Sequence, residues 1–214
     1  MKLSFKYSLL FLTMMFAYWS CSKASGYETV TLVMSGSVHG QLDPCGWKKN
    51  PLGGLSRKSV KIKEMIAAGK DPLILDAGDL FFSTKKIDVK NKTSEIFRAK
   101  AILEGYQKVG CNAINVGHYE VLNGLSFLKS MAEETKIPFI SSNLRDSKSG
   151  KLIFSPYMVF QRGNLKIGVV GSSDLIPDTT TAILVDDFVE SCNRYAEELD
   201  GKVDIVVALV NASR

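Results

Sequence analysis

Two imidazoles and one carboxylate are the side chains whose types and spacing suit chemistry. The chain of 214 residues has two histidines, His39 and His118, which flank Asp79 at nearly equal distances along the sequence. Asp79 closes the stretch Leu73-Ile74-Leu75-Asp76-Ala77-Gly78, an apolar run that starts after the breaker Pro72 and reads as a buried strand. His39 and His118 each stand just past another strand-like run. In an open α/β sheet, ligands bind beyond the carboxyl ends of the strands, so side chains at three strand exits point toward one crevice. His39, Asp79 and His118 together suit one divalent metal (Mn, Zn, Fe or Mg) with positions left for water. Any one of them alone reads as a loop or capping residue; the expectation rests on the set.

The elements that must position these residues alternate regularly. The pattern predicts strands over residues 29–34, 73–75, 112–116 and 139–142, each followed or preceded by a helix. One helix covers 55–68, with Leu55, Ile62, Met65 and Ile66 on one face, and a second covers 93–108, with Ile96, Ala99, Leu103 and Tyr106. A third carries Leu125, Leu128 and Ala132. Strands over 157–162 and 166–170 flank the turn signal Gly163-Asn164, a helix covers 186–199, and a last strand covers 204–210. This βα alternation predicts a single α/β domain over residues 27–214. The last strand reads as central and apolar on both faces, and the chain ends soon after it. The expectation is a domain incomplete at its C-terminus, in a piece of a longer protein.

Composition narrows the function classes. With 45% hydrophobic and 23% charged residues and a formal charge of +5, the chain is ordinary globular material. Its lysines are scattered, without a stripe or interleaved aromatics, so no nucleic-acid partner is expected. Residues 1–20 read as an export signal: Lys2 and Lys6, then an apolar stretch over 8–19 that is short for a membrane span. Ser20-Cys21 is similar to a lipoprotein cleavage box, which would acylate Cys21 and anchor the protein to a membrane at the periplasmic or cell-surface side. Cleavage near Ala24-Ser25-Gly26 and an uncleaved anchor stay open. The other cysteines follow no metal-ligand spacing. Cys111 and Cys192 fall on apolar patterns and read as core, whereas Cys45 lies in a loop shortly after His39.

The ordered motifs Ser35-Gly36-Ser37-Val38-His39-Gly40-Gln41-Leu42, Gly53-Gly54-Leu55-Ser56-Arg57, Leu75-Asp76-Ala77-Gly78-Asp79, Asn115-Val116-Gly117-His118-Tyr119-Glu120, Ser141-Ser142-Asn143-Leu144 and Lys166-Ile167-Gly168-Val169-Val170-Gly171 resemble the secreted 5′-nucleotidase branch of the calcineurin-like metallophosphoesterases. The resemblance implies a β-sandwich flanked by helices. It also implies metal-dependent hydrolysis of phosphate monoesters or related esters, with a nucleotide-like small molecule as ligand. His39 and Asp79 stand at family ligand positions, Asp79 as the bridging carboxylate.

Other positions depart from the family. Ser37 replaces its first aspartate, His118 its asparagine, Tyr119 its histidine, and Val210-Asn211 its later Ser-His. The closing Gly-His-x-His motif and the nucleotide-binding domain do not occur in the 214 residues. One metal and weak or absent hydrolysis are therefore expected, because a second metal finds too few ligands. Tyr119 is a candidate proton donor, though a phenol with a pKa near ~10 is a slow acid. The alternative is a non-hydrolytic metal, ligand or thiol-redox module, with Cys45 as its reactive thiol or with a mononuclear iron. The loop Pro44-Cys45-Gly46-Trp47 is similar to that of exported relatives carrying Cys-Gly-Cys or a selenocysteine, and a selenocysteine codon read as a stop is one expectation for the ending at Arg214. Gly53-Gly54 opens a helix that can face an anion. Asp76 is expected to support the site through hydrogen bonds, and Glu120 to start the third helix at its positive end.

Overall fold

The computed structural model describes residues 29–46, 52–174 and 181–212. The expected leader over 1–20, Cys21, and the loop residues Trp47, Asn50 and Pro51 lie outside the described residues. In chain order the elements are β1 (Leu32–Ser35), α1 (Leu55–Ala67), β2 (Leu73–Asp76), α2 (Lys92–Lys108), β3 (Ala113–Asn115), a 3₁₀ turn (Tyr119–Val121) and α3 (Leu125–Glu133). Then come β4 (Phe139–Ile140), β5 (Leu144–Asp146), β6 (Tyr157–Arg162), β7 (Leu165–Ser173), β8 (Ile183–Val185), α4 (Phe188–Leu199) and β9 (Ile205–Asn211).

The first four strands form one parallel sheet in the order β1-β2-β3-β4. Successive strands are thus neighbours, as the βα alternation requires. Every residue of β2 is buried, because side chains leave its two faces for two different cores. Ile74 joins Ile62 of α1, Ile102 and Leu103 of α2, and Leu128 and Met131 of α3 in the core beneath the helices. Leu73 and Leu75 point the other way, onto Ile167, Val169 and Leu209 of a second sheet.

That second sheet has the order β6-β7-β9. β6 and β7 form the expected antiparallel hairpin about Gly163-Asn164, and β7 pairs with β9 in parallel. α4 makes the crossover and lays Leu199 against Gly168, where a Cβ would meet the leucine side chain at 2.7 Å. The result is two sheets face to face with helices outside, the expected architecture.

Two features depart from the sequence reading. β5 and β8 pair antiparallel as a separate two-stranded ribbon that no periodicity announces. Burial along β9 alternates instead of covering both faces, leaving Val206 and Val210 40% and 42% exposed. The cause is position: among the described residues β9 lies at the edge of its sheet, and α4 packs more over β7 than over β9. No helix among the described residues is long and apolar enough to cross a membrane.

Candidate functional site

The adjacency of β1, β2 and β3 brings the segments carrying His39, Asp79 and His118 out at neighbouring strand ends. The loops after β1 and β2 then run side by side. Ser37 N–H donates to Gly78 O at 2.8 Å, His39 N–H to Asp79 O at 2.9 Å, and Gly40 N–H to Leu80 O at 2.7 Å. Three non-glycine residues among those described have left-handed backbone, and all lie here: Ser37 (φ 52°), His39 (φ 51°) and Asp79 (φ 59°). That conformation costs an L-residue roughly 1–2 kcal/mol and concentrates where a site needs a side chain aimed against backbone preference.

Burial explains what holds this turn. Leu80, Phe81 and Phe82 are fully buried and drag their backbone away from water. Their N–H groups must then be satisfied inside the protein. Glu120 does much of this: its Oε2 accepts from Asp79 N at 2.9 Å and Gly117 N at 2.8 Å, and its Oε1 from Leu80 N at 2.6 Å and Phe81 N at 3.3 Å. The sequence pattern places Glu120 at the start of the third helix. It lies instead in the 3₁₀ turn, ahead of α3, with no exposed surface. Burial pushes its carboxyl up to about 7, with the Asp79 charge acting the same way, against the opposing pull of the N–H donors.

Asp79 is 7% exposed, and its Oδ1 accepts the Tyr119 N–H at 2.9 Å. Asn211, at the end of β9, approaches the same place. A Cβ added at Gly117 would stand 2.7 Å from Asp79 Oδ1 and 2.9 Å from Asn211 Cγ, so only glycine leaves room for both. Asn211 Oδ1 and His39 Nδ1 are buried without a hydrogen-bond partner. Buried polar atoms are normally paired, so these two stand out, and the Asn211 amide lies near the Asp79 carboxylate at Gly117. The family pattern makes Asn211 a lost ligand; the signal that could have kept it is the amide oxygen, a competent neutral ligand for hard cations.

The expected ligands are drawn together only in part. The Tyr119 ring lies 4.3 Å from the His39 ring and 5.6 Å from the His118 ring, centroid to centroid, and so touches both imidazoles. Among the described residues no three His, Cys, Asp or Glu side chains are grouped to hold a metal. Near Gly117 stand the Asp79 carboxylate, with one oxygen committed to the Tyr119 N–H, and the unpartnered Asn211 amide oxygen, while the His39 Nδ1 is also unpartnered. Burial, then the Asp79 charge, raises the Tyr119 pKa and makes its hydroxyl a still slower acid.

Asp76 behaves as expected. It is fully buried and accepts from Ser35 Oγ, from Tyr106 Oη at 3.0 Å and from Gly78 N at 3.0 Å, the last bond steadying the turn into Asp79. Cys45 is exposed with a free thiol, held by paired backbone bonds with Leu52.

No family model matches the chain. In sequence it is 31% identical over 121 residues to the protein UshA of Escherichia coli (strain K12), covering 56% of this chain and 20% of that protein. It is 24% identical over 203 residues to the snake venom 5′-nucleotidase of Gloydius brevicauda, covering 86% of this chain and 33% of that protein. Its structure is similar to the crystal structure of the 5′-nucleotidase precursor from Thermus thermophilus, with a TM-score of 0.72 at 26% identity, over 85% of this chain and 36% of that one. The chain thus spans between 20% and 36% of the length of these relatives.

Proposed function

We propose that this chain, a relative of the 5′-nucleotidase branch of the calcineurin-like metallophosphoesterases, carries a one-cation phosphoesterase site with slow hydrolysis of phosphate monoesters such as nucleotides. The observation behind the reading is the left-handed Asp79, clamped through its own N–H by Glu120, with the Asn211 amide brought close to it at Gly117, the His39 backbone bonded to its carbonyl, and the Asn211 Oδ1 and His39 Nδ1 atoms unpartnered. A divalent cation held there supplies charge for a phosphoryl oxygen and acidifies bound water.

The chain's residues set what surrounds that cation. Tyr119 N–H occupies Asp79 Oδ1 and leaves the second oxygen to the cation. The Tyr119 ring covers one side of His39 and orients its imidazole. Ser37, neutral where the family has an aspartate, offers no anionic ligand for a second cation. His118, only partly buried, is a candidate rim ligand whose ring reaches the site across Tyr119. Export through the leader over 1–20, and lipidation at Cys21, belong to the same reading and rest on sequence pattern alone.

Metal content and turnover of the purified full chain test it. The expected result is one Mn²⁺ or Zn²⁺ per chain and slow release of phosphate from adenosine monophosphate. Two metals with fast turnover overturn the account of the lost ligands, and a chain that binds none overturns the site.

A further inference from the structure

Lys58 lies on the inward side of α1, and the proposed hydrolysis does not use it. Its Nζ donates to Ser35 Oγ at 2.7 Å and stands 3.8 Å from the centroid of the Tyr106 ring. Ser35 Oγ in turn donates to Asp76 Oδ2, which also accepts the Tyr106 hydroxyl at 3.0 Å. The two bonds of the path Lys58–Ser35–Asp76 point the same way. An ammonium proton can therefore pass to Ser35 Oγ while the Ser35 proton passes to Asp76. The pair ends as a neutral amine and a carboxylic acid, with no net change of charge in the cluster. Burial pushes in that direction at both ends: it lowers the Lys58 pKa, against the pull of the Asp76 charge, and it raises that of Asp76.

A cavity of about 260 Å³ opens on this cluster, with Ser35, Lys58 and Tyr106 on one side and Val38, Leu55 and Ile102 among its apolar walls. The ammonium and the buried carboxylate balance each other, so the cavity offers no surplus positive charge to a phosphate or carboxylate. Its apolar walls suit an uncharged organic molecule with one polar end. We propose that Lys58 is a nucleophilic amine that binds a small aldehyde or ketone in this cavity as an imine. The nitrogen lone pair forms the C–N bond as the carbonyl π bond opens, and the carbonyl oxygen takes a proton from the Asp76 acid by way of Ser35. The resulting carbinolamine then loses its hydroxyl. The two protons that remained on the amine nitrogen replace the one spent and complete the departing water, so Asp76 ends as the acid again and an uncharged C=N bond is left.

The probe is propionaldehyde at limiting concentration with cyanoborohydride as the reductive trap, on the folded full chain at neutral pH, read lysine by lysine by peptide mass spectrometry. Lys61 and Lys108, with side chains 73% and 74% exposed, are the internal references. The expected result is alkylation of Lys58 about tenfold faster than either reference, because a deprotonated amine reacts and an ammonium does not. Ser35→Ala, which breaks the path from Lys58 to Asp76, is expected to erase that preference. Thermal melts identify a variant that has lost its fold, and the wild-type ratio decides the question without any variant. Lys58 labelled no faster than Lys61 in the wild type, or a preference surviving in folded Ser35→Ala, overturns the proposal.

Discussion

Glu120 fixes the backbone of Asp79: its Oε2 takes the Asp79 N–H at 2.9 Å, and its other oxygen takes the next two N–H groups along the turn. A buried side chain thus replaces the water that the β2 exit cannot reach. Glu120→Ala leaves four buried N–H groups unpaired, counting Gly117. It is expected to cost about 3 kcal/mol or more, since each orphaned buried donor costs on the order of 1–3 kcal/mol. Glu120→Gln keeps one acceptor oxygen but turns an amide donor toward two of the N–H groups, and should fall about 1 kcal/mol short of that loss. Urea unfolding midpoints at constant slope check both; an alanine variant as stable as wild type would contradict the clamp.

Asp79→Asn separates the side chain's charge from its shape. Asparagine also tolerates left-handed backbone, and its amide oxygen can still take the Tyr119 N–H. Stability is expected to stay within about 1 kcal/mol of wild type. Mn²⁺ affinity should fall by about tenfold or more, as hard cations are held chiefly by carboxylate charge. Calorimetric titration beside a thermal melt gives both values. Metal retained in a His39→Ala/His118→Ala chain would sink the ligand assignment instead.

The main elements were legible because their signals are local. The 3, 4, 3 spacing of Ile96, Ala99, Leu103 and Tyr106 puts α2 within one residue of its observed start, and the apolar run after Pro72 marks β2. The parallel order follows from the alternation. What was not legible depends on partners far along the chain. Leu144–Asp146 carries an arginine and an aspartate and becomes a strand only through Ile183–Val185. Glu120 obeys the local rule for a helix start, but the buried N–H groups of residues 79–81 outweigh that rule. At the candidate site, side-chain type singled out Asp79 and His39, whereas the approach of Asn211 to Asp79 exists only once β9 lies beside β7 and carries it to Gly117.

The cysteines should differ sharply in reactivity. Cys111 is buried, and desolvation, then the Asp76 charge, pushes its thiol up to about 12. Iodoacetamide at pH 8 is expected to modify exposed Cys45 about 100-fold faster than Cys111 in the folded chain, since only the thiolate reacts and access also counts. The same shift has a defined sign for stability. Below the ordinary thiol value of 9.0 the group is protonated in both folded and unfolded chains, so its contribution is fully present; it is lost as pH rises from there toward about 12. Cys111→Ala should therefore flatten the alkaline fall in melting temperature. An unchanged alkaline limb would mean the thiol is not held in this way.

Gly117 and Gly110 predict opposite kinds of sensitivity to the same added methyl group. At Gly117 the new carbon would stand 2.7 Å from both Asp79 N and Asp79 Oδ1, and 2.9 Å from Asn211 Cγ, and the Asp79 atoms it meets are clamped by Glu120 and Tyr119. No flexible side-chain end is available to yield, so Gly117→Ala is expected to cost about 2–4 kcal/mol and to displace Asp79 and Asn211 together. At Gly110 nothing lies within 4 Å, and only the left-handed backbone (φ +79°) resists, so Gly110→Ala should cost about 1–2 kcal/mol. Mn²⁺ binding divides the two further: it should fail in Gly117→Ala even at temperatures where that chain is folded, and persist in Gly110→Ala. Equal binding in both would separate the Asp79–Asn211 approach from cation binding and move the site elsewhere on the strand ends.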